Sequence, residues 1–99
     1  MRSGDTNEQQ LWIDLCGVDG MRYALPYREL LSIEMPSHQT ITLRFADRMV
    51  IVQGRNLAPV YEDLIKARVA QLREDDVDWA SESETFISKL TIVRNPEHD

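Results

Sequence analysis

Ile41-Thr42-Leu43-Arg44-Phe45, then Ala46-Asp47, then Arg48-Met49-Val50-Ile51-Val52 is the stretch whose reading decides the fold. The first five residues alternate apolar and polar, the period of a half-buried strand. Ala46-Asp47 fits a two-residue turn, and Met49 to Val52 is apolar throughout. With that turn, Ile41 and Leu43 lie opposite Val52 and Val50, and Thr42 and Arg44 lie opposite Ile51 and Met49. A three-residue turn would change which return-strand residues face Leu43. A strand apolar on both sides expects cover on both. One helix supplies one side, so the first hairpin, a late strand or a second chain is expected on the other.

Downstream, Gly54-Arg55-Asn56 breaks the sheet and a helical pattern begins. Leu57, Tyr61, Leu64, Ile65, Val69 and Leu72 follow the spacing of one apolar helix face. Asn56 suits the N-cap, and Pro59 is tolerated in the first turn because its missing N–H would have had no partner there. Glu62 and Asp63 lie early, and Lys66, Arg68 and Arg73 lie late, as the helix dipole favours. The spacing predicts one long helix to about Glu74, with Ile65 buried and Ile65→Asp preventing folding. Residues 75–85 then read as an acidic linker around Trp79. Phe86 to Arg94 reads as a late strand, with Phe86, Leu90 and Ile92 on one face and Ile87, Lys89, Thr91 and Val93 on the other.

Upstream, Leu11 to Cys16 alternates, with Leu11, Ile13 and Leu15 on one face. Gly17-Val18-Asp19-Gly20 supplies turn residues, and Met21 to Leu25 returns with Met21, Tyr23 and Leu25 on the matching face. Pro26 cannot donate to a ladder and should end the strand or sit at an edge. Leu31, Ile33 and Met35 alternate with Ser32 and Glu34, which favours a third strand from near Glu29 over a helical turn followed by a shorter strand.

The 99 residues are enough for one domain, with 42% hydrophobic and 28% charged side chains in ordinary globular proportion. No apolar run approaches the roughly 18 residues of a membrane span, and residues 1–10 lack the apolar centre of a signal peptide, so a cytoplasmic protein with a flexible leader is expected. Residues 95–99 read as a flexible end. The net charge of −6 belongs mainly to the tail, where seven acids face only Lys89 and Arg94 after residue 74. That distribution offers no basic face for nucleic acid.

Candidate chemistry is sparse. Arg55, just before the helix start, is the candidate anion contact, joined by Arg44 and Arg48 if the sheet brings them together. His38 and His98 lack a second ligand at metal spacing, and Asp75, Asp76 and Asp78 lack the glycine of a calcium loop, so no metal and no cofactor are expected. Cys16, the single cysteine, rules out an internal disulfide and reads as a small buried thiol. No nucleophile–base or paired-carboxylate arrangement appears, so an enzyme is not expected. Trp12 and Trp79 are the aromatic residues most suited to anchoring a partner.

The run Tyr23-Ala24-Leu25-Pro26-Tyr27-Arg28-Glu29-Leu30-Leu31-Ser32-Ile33-Glu34 resembles the strand–Pro-Tyr–strand pattern of bacterial pleckstrin-homology-like domains. Over residues 11–74 that resemblance implies antiparallel strands before one closing helix. Gly54-Arg55-Asn56-Leu57 is similar to a strand-to-helix corner in small uncharacterised bacterial proteins. Neither resemblance implies an activity. The expectation is therefore an α+β core over 11–74, with an antiparallel sheet of four to five strands and one long amphipathic helix on one face. Strand 86–94 is expected to join that sheet or be exchanged with a second chain. The expected function is a non-enzymatic, homodimeric interaction module, with Trp79, Phe86, Leu90 and Ile92 as partner contacts and another protein as a further partner. The alternative is phosphate or nucleotide binding at Arg55.

Overall fold

The computed structural model describes residues 9–75 and 85–94. The order is β1 (Trp12–Cys16), β2 (Arg22–Pro26), a single 3-10 turn (Tyr27–Glu29), β3 (Leu30–Ser37), β4 (Thr40–Phe45), β5 (Arg48–Arg55), α1 (Ala58–Ile65), β6 (Gln71–Arg73) and β7 (Phe86–Arg94). Most of the leader, the acidic linker at 76–84 with Trp79, and the end at 95–99 with His98 lie outside the described residues.

The central hairpin has the register of the two-residue turn. Ile41 pairs with Val52, Leu43 with Val50, Thr42 with Ile51 and Arg44 with Met49. Ile41, Leu43, Val50 and Val52 are fully buried. On the other face Met49 and Ile51 are only half-buried. Their cross-strand neighbours flank them there: Arg44 and Val93 beside Met49, Thr42 and Thr91 beside Ile51.

Two sheets face one another across a single core: β2-β1-β6 with three strands and β3-β4-β5-β7 with four. Ile13, Leu15, Leu25 and Leu72 from the first meet Ile41, Leu43, Phe45, Val50, Val52, Ile87 and Leu90 from the second, and Leu57 and Leu64 enter from α1. The fold is α+β with strands predominating. β1 and β2 pair as expected, Ile13 with Leu25 and Leu15 with Tyr23, and Pro26 ends an edge strand. Leu11, however, is exposed, because β1 begins one residue later. In β3, Leu30 opposes Phe45 and Ser32 opposes Arg44, so Leu31 is the extra residue of a bulge and turns outward.

The long helix is corrected to eight residues. Lys66 closes α1, and Ala67 adopts φ 57°, a left-handed conformation that ends the helix. The Ala67 N–H donates to the Leu64 carbonyl at 3.0 Å and the Arg68 N–H to the Asp63 carbonyl at 2.9 Å, the paired bonds of a Schellman cap. The chain then runs alongside β1. Gln10 N–H donates to Ala67 O, Asp14 N–H to Ala70 O and Glu74 N–H to Cys16 O. β6 pairs parallel to β1, Leu15 beside Leu72, so the three-stranded sheet is mixed rather than wholly antiparallel. Leu72 is buried as a strand residue between exposed Gln71 and Arg73. Asn56 is corrected as well: it takes φ 55° ahead of the helix, and Leu57 occupies the N-cap.

β7 pairs antiparallel with β5 of its own chain, from Arg48 opposite Arg94 to Arg55 opposite Phe86. Gln53 opposes Lys89 and Gly54 opposes Ile87, which leaves Ser88 as a bulge. The bulge reverses the alternation, so Ile87, Leu90 and Ile92 share the inner face and Phe86 does not. The outer edge of β7 is met by the chain leaving β6. Asp75 N–H donates to Ile87 O at 3.0 Å. The Glu74 carboxylate accepts the Leu90 N–H at 2.8 Å and the Val18 N–H at 3.1 Å. Glu74 thus ties the first turn and the last strand together instead of ending a helix. Glu74→Ala leaves the partly buried Leu90 N–H without its acceptor and is expected to cost about 1–3 kcal/mol. A denaturation midpoint equal to wild type would contradict this role.

Candidate functional site

An apolar surface groove lies where the start of β1, the 3-10 turn, β3 and the end of α1 converge. It is a groove of about 440 Å³, floored by Tyr27, Leu30, Ile33 and Leu64 and rimmed by Leu11, Trp12 and Ile65. The rim is exposed: 77% for Leu11, 49% for Trp12 and 51% for Ile65. Each rim position follows from its neighbour. Ile13 points into the core, so Trp12, one residue away on the strand, points out. Leu64 is 1% exposed, so Ile65, one step round the helix, faces solvent.

Backbone and side-chain bonds hold the groove in shape. Tyr27 N–H donates to Leu11 O at 3.0 Å, and Gln10 N–H donates to Ala67 O at 2.7 Å. The Tyr27 hydroxyl donates to Val69 O at 2.8 Å and accepts Val69 N–H at 3.1 Å. Burial raises the pKa of that hydroxyl above the ordinary tyrosine value, which keeps it a neutral donor. A surface fixed in this way loses little freedom when it is covered.

The expected partner contacts are placed differently. Leu90 is buried and Ile92 half-buried in the chain's own core. Phe86 is half-buried with the Arg55 guanidinium over its ring, 5.5 Å from the centroid. Trp79 lies outside the described residues. Trp12, by contrast, stands on the groove rim.

The expected anion contacts do not converge. Arg44 projects on the outer face and pairs with Glu34 at 2.9 Å. Arg48 follows the inward alternation of Val50 and Val52, and Arg55 lies seven residues further along β5, about 23 Å at the usual rise of a strand. Arg48 instead meets a group from the other sheet. It stands 5.4 Å over the Tyr23 ring, donates to the Tyr23 hydroxyl, and binds Asp47 through two nitrogens at 3.1 and 3.0 Å. Those bonds lower the pKa of the Asp47 carboxyl and raise that of the arginine.

Cys16 is buried and free. Among the described residues no group of His, Cys, Asp and Glu is arranged to hold a metal, and no helix is long and apolar enough to cross a membrane. No family model, no curated protein and no solved structure matches the chain.

Proposed function

We propose that the protein is a non-enzymatic interaction module that forms a homodimer through the groove rimmed by Leu11, Trp12 and Ile65. The observation that supports this is the clustering of three exposed large apolar side chains around one apolar depression. Contiguous apolar surface of this kind on a small domain marks an association site. Projecting side chains and a receiving hollow on the same patch suit a two-fold interface, in which each copy uses the same surface. Charge permits it too: the described residues carry nine acidic and ten basic side chains, so two copies of that part of the chain meet with little net repulsion. A cytoplasmic setting suits the single free thiol.

With three projecting side chains as its anchors the association is expected to be weak, with a dissociation constant in the micromolar range, on the order of 10 µM. Sedimentation of the full chain across that range should give a dimer, and Leu11→Lys with Ile65→Lys should give a monomer of unchanged fold. A wild-type mass that stays monomeric well above that concentration, or a double variant that still dimerises, would overturn the proposal. A second protein captured in place of a second copy would count against the homodimer.

A further inference from the structure

A second cleft, of about 170 Å³, opens between the sheets and shares no lining residue with the groove; it is lined by Tyr23, Asp47, Arg48, Ile92 and Arg94. Its volume is about six waters' worth, enough for a small head group. Arg48 and Arg94 are directly opposed on adjacent strands. Directly opposed like charges destabilise a sheet unless something neutralises them. Among the described residues that line the cleft Asp47 is the one carboxylate; it binds Arg48 directly and acts on Arg94 only through its charge, so one negative group serves two positive ones. The Arg48 side chain is 24% exposed and fixed between Asp47 and Tyr23, whereas Arg94 is exposed at the strand's end. The cleft therefore presents one preset guanidinium, one that can swing onto a ligand, and a tyrosine hydroxyl.

We propose that this cleft binds a small phosphate monoester, the phosphate bridging Arg48 and Arg94. A phosphate supplies the two charges and several acceptors that paired guanidinium groups recognise, and its doubly ionised form offsets the repulsion a single carboxylate leaves. Ile92 at the cleft wall suits a short apolar or neutral ester body over a second charged group. This site is separate from the groove and from Arg55, and it stands or falls independently of dimerisation.

Thermal melts of the full chain in inorganic phosphate, and in ethyl phosphate as a small monoester with an uncharged body, test it against sodium chloride at equal ionic strength. Phosphate at about 20 mM should raise the melting temperature by about 2–4 °C over chloride, as binding to the folded state requires. Arg94→Ala should abolish that increment while melting normally in chloride, and Arg44→Ala, on the other face, should keep it. No increment in the wild type, or an increment that survives in Arg94→Ala, would overturn the proposal.

Discussion

Gly54→Ala is expected to unfold the protein or leave it barely folded. A Cβ built at Gly54 would lie 1.9 Å from the Phe86 carbonyl oxygen, 2.9 Å from its carbon and 3.0 Å from the Ile87 Cα. All three are backbone atoms, so no side chain can swing aside. The close approach lies next to the Ser88 bulge, where Gly54 pairs with Ile87. Gly54 also donates its N–H to Gln39 O at 3.0 Å, which holds β5 against the turn before β4. To admit a methyl group β7 must move away, and Ile87 and Leu90 leave the core with it. The cost is about 3 kcal/mol or more. For a domain of this size that lowers the melting temperature by roughly 12 °C or more. A Gly54→Ala protein melting within 2–3 °C of wild type would mean that β7 does not pack on β5 as described.

Leu64→Ala and Ile65→Ala are expected to differ sharply although the residues are neighbours. Leu64 is 1% exposed and fills the core between the sheets, so its truncation should cost about 2–5 kcal/mol. Ile65 is half exposed on the groove rim, and its truncation should leave monomer stability within about 0.5 kcal/mol. Denaturant midpoints at low protein concentration, where dimer linkage is absent, measure both. Equal losses would mean that both residues are buried, as a longer helix packed on the sheet would require.

That pair marks where the sequence stops being informative. Leu57 and Leu64, seven apart, do lie on one helix face. The hairpin from Ile41 to Val52 is legible as two paired strands, although Met49 to Val52 is apolar on both faces and leaves the register open between a two- and a three-residue turn. Val69 and Leu72 continue the helical spacing by coincidence. Leu72 between Gln71 and Arg73 satisfies a period of two equally well, and a run this short fits both. The deciding event is the left-handed Ala67, a residue without the glycine or asparagine that usually announces such a stop. Nor does anything in Thr85 to Arg94 mark the bulge at Ser88. The bulge sits beside Gly54 on the partner strand, more than thirty residues earlier, which is out of reach of a local reading. Bulges reassign faces, which is why Phe86 and Ile87 exchange their expected positions and Leu31 turns outward.

The groove was half legible. Tryptophan at position 12 is conspicuous in any reading, but Leu11 and Ile65 fit apolar periods and so look like core residues. Only the tertiary arrangement places the start of β1 beside the end of α1, with both surplus side chains outside. The Arg48–Tyr23–Arg94 cluster was legible at one member alone, because Tyr23 and Arg94 reach it from different strands.

The proposed dimer is tested most directly by isotope-filtered NOE spectroscopy on a mixture of labelled and unlabelled chains. Contacts between copies should connect the Trp12 ring with the methyl groups of Leu11, Ile33 and Ile65, and none should involve Ile87 or Leu90. Contacts between copies confined to β7, or no such contacts at concentrations well above the micromolar range, would contradict it.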